Sequence, residues 1–372
     1  MAEHKTTSFT ILRRTFLLAK NFSDTAAAKT VVSWSGDILT LNDMQIDTRR
    51  LSPYLRAHIT DTELFFDEKI FRGLKPWEPK YDELVDDYRN KEDGYSFTTD
   101  LRNGFHQRRM LLIEGFSNDD LKQTFWIHTH NGKHLNPMGC RRWLQDCEEG
   151  LERLFSAMFE SWGGPSRAPE LGSIVIGNLG GRRSVFWQDG LLIIVVWFQR
   201  KRSKKGKENM VVHAVPPRLS RLFALYLAYV VPTMAYISQI IFDQETSDIY
   251  KAYLFSSFGK AWDARRYTRI MKGSTKACFG VSLGIHDWRH ACIAISRQYF
   301  PQQYQALSKL RESQRQPTNI IDAQGAHTST IALNHYAVPA DILLKIPGAL
   351  RAAFIQFSCD WFTWLDLAEI DV

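Results

Sequence analysis

Residues 286–295 read HDWRHACIAI, a stretch that places polar side chains directly before a run of apolar ones. The apolar residues, among them Ile293 and Ile295, predict a buried helix with His286 at its head. His286 and Arg289 are three positions apart and therefore share one helix face. Taken alone, this pair is more typical of a helix cap beside a solvent-facing arginine than of a functional site.

A second motif lies far upstream, where Gly163-Gly164-Pro165 ends a long amphipathic pattern. Arg167 follows this stop and precedes Pro169, which is tolerated in a first helical turn. Glu170 comes one turn after Arg167, so the two could form an ordinary helix-start ion pair of little energetic weight. Alternatively, the guanidinium points outward and is available to an anion.

A third motif, GAHTST, begins at Gly325 and is followed by Asn334-His335-Tyr336. His327 is predicted to lie at a helix N-terminus, with Thr328 or Ser329 as cap candidates. Backbone N–H groups at such an end favour a bound phosphate. Tyr336 stands nine positions after His327, although a core tyrosine is the commoner reading in a chain with thirteen of them.

Between Arg167 and His286 the pattern changes from helical to β. Residues 184–187, 191–198 and 210–215 are apolar or β-branched, and Asp189-Gly190 predicts a turn between the first two runs. The second and third runs flank a basic tip that contains Arg200, Lys201, Arg202, Lys204 and Lys205. Such a tip is commonly a solvated loop or a nuclear import signal.

The order of these residue types is what a protein needs to cut a phosphodiester with its own phenol. Guanidinium groups neutralise phosphate charge, an imidazole transfers protons near neutral pH, and a tyrosine attacks phosphorus. Each motif alone is weak, because a second His-x-x-Arg occurs at His106 and a second Arg-x-x-Glu at Arg89. Their order and their predicted elements together favour the functional reading.

Composition is compatible with this chemistry without proving it. The chain has 372 residues, 44% hydrophobic, with a formal net charge of +7, which favours a polyanionic partner. Five scattered cysteines and no C-x-x-C pair predict a reducing compartment without disulfides or a zinc knuckle. The first residues show no apolar core before a cleavage site, so no secretory signal is expected.

Residues 222–242 carry no charge and could by length span a membrane. Pro232 and several polar residues favour a different interpretation, two buried helices joined near Val231-Pro232. No membrane partner is therefore expected.

The coarse organisation predicts a mainly α fold with a small antiparallel β sheet, an α+β class with two domains. Residues 1–136 would form a mostly helical N-terminal domain, and residues 137–372 a second domain that begins at Asn136-Pro137. Within the first, the patterns predict the following elements in order: a helix over 1–30, a hairpin around Ser35-Gly36-Asp37, a helix over 48–74, an acidic connection over 76–94 and a helix over 119–128.

Two later segments each allow two interpretations. Residues 262–272 place Arg265, Arg266, Arg269 and Lys272 on one helix face, which is either simply solvated or contacts a DNA backbone. Residues 352–365 predict an apolar helix rich in Phe and Trp that completes the core, whereas the family resemblance described below implies a tail that docks on a neighbouring protomer.

The combined motifs resemble the tyrosine recombinase (phage integrase) family. Four sequence segments are similar to segments of fungal Crypton-type recombinases of mobile elements: GGPSRAPEL, GRRSVFWQDG, DWRHACIAI and AHTSTIALNHYAV. The resemblance covers residues 140–345 well and the first 135 only loosely. The chain departs from the family pattern in reading Gly325-Ala326-His327 where Gly-His is usual, and in a longer spacing between Arg289 and His327.

The resemblance implies a site-specific DNA recombinase that forms a 3′-phosphotyrosyl intermediate through Tyr336. Arg167 and Arg289 would clamp the phosphate, and Glu170 would orient the site. His286 would assist proton transfer and His327 would bind the phosphate, while Lys201, or else Lys204, would protonate the leaving oxygen.

An arginine at position 200 is a poor proton donor, because it stays charged. With Arg202 and Lys205, it would instead contact DNA.

The resemblance further implies double-stranded DNA as partner, a dimer or tetramer on that DNA, an N-terminal domain that clamps the duplex, a nuclear location and no metal or other cofactor. The alternatives are a topoisomerase of the same chemistry and a catalytically inactive, domesticated DNA-binding protein.

Overall fold

The computed structural model describes residues 30–130, 132–199, 208–313 and 341–368. The described residues form many helices and small antiparallel sheets, which confirms the predicted α+β class. The predicted N-terminal helix, the basic tip, His327 and Tyr336 lie outside the described residues.

The described chain opens with a three-stranded antiparallel meander, β1 (Val32–Ser35), β2 (Ile38–Leu41) and β3 (Met44–Asp47). The predicted hairpin at Ser35-Gly36-Asp37 is confirmed, and Gly36 supplies the positive φ of +60° that its turn requires. A second turn at Asn42 adds the third strand. Leu39, Leu41 and Ile46 turn their side chains into the core.

The helix predicted over residues 48–74 is present. A 3₁₀ turn (Thr48–Arg50) leads into α1 (Leu51–Phe65), and a π-helical turn (Phe66–Ile70) ends it. Leu51, Leu55 and Ile59 recur on its buried face. The connection that follows is irregular apart from short 3₁₀ turns, as its turn-rich sequence predicts. The 3₁₀ turns are Tyr81–Glu83, Leu101–Asn103 and Phe105–Arg108. The next short helix is α2 (Leu111–Gly115).

The helix predicted over residues 119–128 is wrong in its second half. Only α3 (Lys122–Phe125) is helical, and the chain then pairs β4 (Trp126–Thr129) with β5 (Gly132–Leu135). Ile127 and Thr129 are β-branched and favour a strand, and Gly132 adopts a φ of +113° beside the turn. The β propensity of residues 126–129 therefore outweighs their helical spacing in the structure.

Asn136 accepts a hydrogen bond from the backbone N–H of Met138 and so caps α4 (Pro137–Glu160). The long amphipathic helix predicted from the sequence is therefore confirmed, with Pro137 in its first turn. One hydrophobic core includes residues on both sides of this cap, from Leu55 and Phe66 to Trp143 and Leu151. A division into two domains at this point stays a prediction.

A buried three-stranded sheet follows the short helix α5 (Ala168–Leu171). Its strands are β6 (Val185–Gln188), β7 (Leu191–Gln199) and β8 (Glu208–Ala214), in that order and antiparallel. Asp189 and Gly190 form the predicted turn, with φ angles of +51° and +78°. Gln199 pairs with Glu208, so the two strands that flank the basic tip are in register up to it.

The apolar segment after β8 forms one continuous helical run, not two helices joined at Pro232. Helix α6 (Pro217–Leu225) passes through a π-helical turn (Tyr226–Val230) into α7 (Val231–Ile241). The π-helical turn lies directly before Pro232. Because proline has no backbone N–H to donate, this wider turn accommodates the hydrogen bond that is missing from the helix. This run is long and apolar enough to span a membrane, yet 78% of its most apolar window is buried inside the protein.

The remaining elements are mainly helices, as predicted for the chain after Pro216. They are α8 (Gln244–Ala252), β9 (Ser256–Ser257) paired with β10 (Lys260–Ala261), α9 (Ala264–Phe279), α10 (Ile285–Tyr299), α11 (Pro301–Ser313), α12 (Ile342–Lys345) and α13 (Gly348–Trp364).

The C-terminal aromatic helix α13 packs against its own chain, on β8 and α11. Phe354, Phe357, Trp361 and Phe362 are buried there, and Trp361 stacks on Phe300 with ring centroids 5.7 Å apart. Of the two roles considered for the tail, the structure therefore shows that it completes the core.

A buried ion pair joins the acidic connection to the central sheet. Arg183 donates to Asp86 over 2.8 Å, and both side chains are 0% exposed. Asp86 also accepts a hydrogen bond from the backbone N–H of Trp187, and Arg183 lies over the ring of Phe186. Burial raises the pKa of Asp86, and the attraction of Arg183 opposes that rise.

Replacing Asp86 by Ala is expected to destabilise the protein by about 3–5 kcal/mol, because Arg183 would remain buried without its counter-charge. The double variant Asp86→Ala with Arg183→Met should recover much of that loss. Urea denaturation of the single and double variants measures the coupling. A single variant that loses less than about 1 kcal/mol would contradict a buried charged pair.

Candidate active site

The loop between α4 and α5 positions Arg167. Arg167 is the N-cap residue of α5, and its backbone N–H donates to Glu170 Oε2 over 2.8 Å. Glu170 is buried, whereas the Arg167 side chain is half-buried at the surface. The Arg-x-x-Glu spacing therefore marks a real helix start, and the carboxylate fixes the backbone of the arginine that precedes it.

The helix that carries Arg289 contacts the last turn of α4 once and the same loop twice. Trp288 Nε1 donates to the carbonyl oxygen of Phe159, Arg289 Nε to that of Pro165 and Ser296 Oγ to that of Gly163. The Arg289 contact is 2.8 Å long and reaches the residue two before Arg167. Arg167 and Arg289 therefore lie at one site, although they are 122 positions apart in the sequence.

The electrostatics of Arg289 confirm that the charged groups are close. Burial lowers the pKa of its guanidinium, Glu170 opposes this by raising it, and the positive charge of Arg167 lowers it further. Among the residues that the structure describes, the terminal nitrogens of Arg289 make no hydrogen bond. The two guanidinium groups therefore lie close to one buried carboxylate, that of Glu170.

His286 lies one turn before Arg289 on α10, with 59% of its side chain exposed. Its Nε2 is 3.2 Å from Nε2 of His290, and its Nδ1 is 3.6 Å from Asp287 Oδ1. The ring tautomers decide which Nε2 atom donates to the other, and a nearby carboxylate favours the tautomer of His286 with its proton on Nδ1. Burial first, and then the neighbouring His286 and Arg289, lower the pKa of His290.

His213, which the sequence did not single out, couples the sheet to the arginine loop. It lies on β8, stacks on Trp162 with ring centroids 4.1 Å apart, and its Nε2 is 3.1 Å from Ser166 Oγ. Ser166 directly precedes Arg167, and all three partners are buried. An isolated histidine in a strand gives no signal that distinguishes it from an ordinary core residue.

Glu160, the last residue of α4, is a second group that the sequence left unassigned. Its side chain is 0% exposed, and neither carboxylate oxygen has a hydrogen-bond partner among the described residues. Burial raises its pKa to about 8, with a smaller opposing effect from Ser274. The proximity of the helix C-terminus also disfavours its ionised form. The raised pKa favours the protonated form of the Glu160 carboxyl at neutral pH.

The basic face predicted on residues 262–272 is only partly available to a ligand. Arg266 pairs with Glu148 and Glu152 on α4 and lies over the ring of Trp262. Arg269 pairs with Glu152 over 2.6 Å, although its side chain is 66% exposed. Arg265 and Lys272 are exposed, and the Lys272 side chain passes close to Gly284, the N-cap of α10. The solvent-facing charge thus adjoins the His286 end of the site.

The other candidates, Lys201, Lys204, Arg200, Arg202, Lys205, His327 and Tyr336, lie outside the described residues. A cavity of about 540 Å³ lies elsewhere, between α1 and α6. Two of its arginines are already paired, Arg218 with Glu63 and Arg221 with Glu78.

Replacing Glu160 by Gln is expected to stabilise the protein at pH 8 by on the order of 2 kcal/mol. Its pKa is raised from 4.5 in the unfolded chain to about 8 in the fold. The unfolded chain therefore releases its proton first, and wild-type stability falls as the pH rises through this window. Urea denaturation at several pH values should show a gain that shrinks toward pH 5.

Glu149→Gln, on the exposed side of the same helix, is the matched control and should leave the pH dependence of stability unchanged. A Glu160→Gln protein with the wild-type pH profile would rule out a buried protonated carboxyl.

No family model, no curated protein and no solved structure matches this chain.

Proposed function

We propose that the chain is a tyrosine recombinase, a DNA strand-exchange enzyme that cuts and rejoins DNA through a phosphotyrosyl bond. The observation that carries this proposal is the hydrogen bond from Arg289 Nε to the carbonyl oxygen of Pro165. It brings the guanidinium of a His-x-x-Arg helix to the loop of an Arg-x-x-Glu helix. These are the two groups that the chemistry requires at one phosphate.

The charge of the site supports a phosphate ligand. Partial burial and the nearby Arg167 destabilise the charged form of the Arg289 guanidinium, and its pKa is lowered as a result. A phosphodiester between the two forks would remove the repulsion and accept bidentate hydrogen bonds. In a pentavalent transition state the additional negative charge would strengthen the same contacts.

The remaining roles follow from the resemblance to the family and from the exposed position of His286. Tyr336 would attack the scissile phosphate and release a 5′ hydroxyl, whose oxygen Lys201, or else Lys204, would protonate. His286 would assist proton transfer at the nucleophile, and His327 would hydrogen-bond a phosphate oxygen. Because the phosphotyrosyl bond conserves the energy of the broken bond, rejoining needs no nucleotide cofactor.

The exposed positive charges near His286 support duplex DNA as the partner. Arg265 and Lys272 would contact its backbone beside the cut. The basic tip after β7, with Arg200, Arg202 and Lys205, would enter a groove. Residues 1–136 would close around the other side of the duplex. Strand exchange between two sites would need a dimer or tetramer on DNA, and a nuclear location follows for an element that recombines chromosomal DNA.

A nicked suicide substrate tests the proposal directly. A nick close to the cut lets the released fragment diffuse away, so an active enzyme becomes covalently trapped and migrates as a protein–DNA adduct under denaturing electrophoresis. Wild-type protein should form the adduct, and Tyr336→Phe should form none. Candidate sites come from binding selection on random DNA. Sequence-specific binding without any adduct would instead support the inactive DNA-binding alternative.

Arg289→Ala should lower the rate of adduct formation by about 10²–10³-fold, because it removes a charge-stabilising donor from the transition state. Arg297→Ala is the matched control, since Arg297 is exposed two turns later on the same helix. Equal rates for the two variants would remove Arg289 from the catalytic group.

The DNA-facing surface is tested by the salt dependence of binding. Replacing Arg265 and Lys272 together by Ala should reduce the slope of log K against log salt by about 2, or roughly 0.9 for each lost phosphate contact. Arg266→Ala should change this slope little, because Arg266 is committed to Glu148 and Glu152. An unchanged slope in the double variant would exclude this face from the interface.

A further inference from the structure

The two imidazoles of HDWRH face each other at the exposed end of the candidate site. His286 and His290 are four positions apart on α10, their ring centroids are 4.5 Å apart and the rings are inclined by 59°. Their Nε2 atoms are separated by 3.2 Å. His286 is the more exposed of the two, so the space beside the nitrogen pair is open to small solutes.

This separation matches the bite of a tetrahedral metal ion. Two bonds of about 2.0–2.1 Å from one Zn²⁺ to imidazole nitrogens, at the tetrahedral angle, place those nitrogens about 3.3–3.4 Å apart. A pair of histidines at i and i+4 on one helix face is a known chelating arrangement. We propose that His286 and His290 form a two-imidazole site for a late first-row transition-metal ion such as Zn²⁺, completed by water.

Asp287 is placed to support such a site from behind His286. Its Oδ1 is 3.6 Å from His286 Nδ1, while its Oδ2 accepts a hydrogen bond of 3.3 Å from the backbone N–H of Gly284. A carboxylate beside the far nitrogen of a ligating histidine orients the ring and directs its lone pair toward the metal. In the bound state both rings carry their protons on Nδ1, so the hydrogen bond between the Nε2 atoms is exchanged for two metal bonds.

Two features set the character of this site. Only two protein ligands are available among the described residues, and the nearby Arg289 repels a cation. The site is therefore a reversible one that exchanges its ion with solution. Bound metal occupies Nε2 of His286, so it would also inhibit DNA cleavage. That consequence rests on the proposed function, whereas the binding itself does not.

Isothermal titration of the full-length protein with Zn²⁺, without DNA, tests the binding. Wild-type protein should bind the ion, and His290→Gln should lose at least ten-fold in affinity. Asp287→Asn, which keeps both imidazoles, should weaken binding about ten-fold. His134→Gln, an exposed histidine on β5, is the matched control and should bind as wild type does. The absence of binding by wild type, or equal affinity in His290→Gln, overturns the proposal.

Titration with Co²⁺ gives a second readout that needs no enzymatic activity. Imidazole coordination should produce visible absorption bands in the wild-type protein that are lost in His290→Gln, while circular dichroism shows that both proteins are folded. Bands of equal intensity in the two proteins contradict the assignment.

Inhibition is measured on the suicide substrate, each protein being compared with its own rate in a chelator. Zn²⁺ should slow adduct formation by wild type at least ten-fold, and excess chelator should restore it. The rate of His290→Gln should be insensitive to the ion. Metal binding in a protein that never forms an adduct would leave the metal site standing and overturn the proposed function instead.

Discussion

Two guanidinium groups held at one half-buried point repel each other, and the surrounding structure must offset that repulsion. The offset comes from a backbone carbonyl and a carboxylate: Pro165 accepts from Arg289, and Glu170 lies close enough to raise the pKa of Arg289. Under the proposed function, a phosphate between the two guanidinium groups would relieve the remaining repulsion and stabilise the charge of a phosphoryl transition state.

The site depends on packing far from it in sequence. The indole of Trp361 covers Gly163 so closely that a Cβ there would collide with it, and Ser358 Oγ on the same helix accepts a hydrogen bond from the backbone N–H of Ala214 on β8. His213 on that strand reaches Ser166, next to Arg167. The tail, the sheet and the arginine loop are therefore one packed unit. A disturbance of the aromatic tail would reach the arginine loop through two contacts, without any change in the charged residues.

Many of the secondary-structure elements around the site could be predicted from the sequence, because local residue patterns determine them. The strands around Asp189-Gly190, the helix that begins near His286 and the helix start at Arg167 all follow from periodicity and turn chemistry. The convergence of Arg167 and Arg289 was inferred only from residue order, since no local rule encodes a contact across more than a hundred positions. The β4–β5 hairpin and the π-helical turn before Pro232 were missed because four-residue strands and a single wide turn are too short to show a period of their own in the sequence.

Buried polar groups were the least predictable part, and they carry much of the chemistry around the site. Glu160 is the one buried carboxylate of α4, whose other acidic residues are at least partly exposed, and a glutamate in a long amphipathic helix is expected on the solvent side. It lies within electrostatic range of Tyr54, Cys278 and Cys292, and none of these neighbours is a cation. Keeping it uncharged spares the buried helix interface an isolated negative charge. The carboxylate that acts on Arg289 is then Glu170, which raises the pKa of its guanidinium.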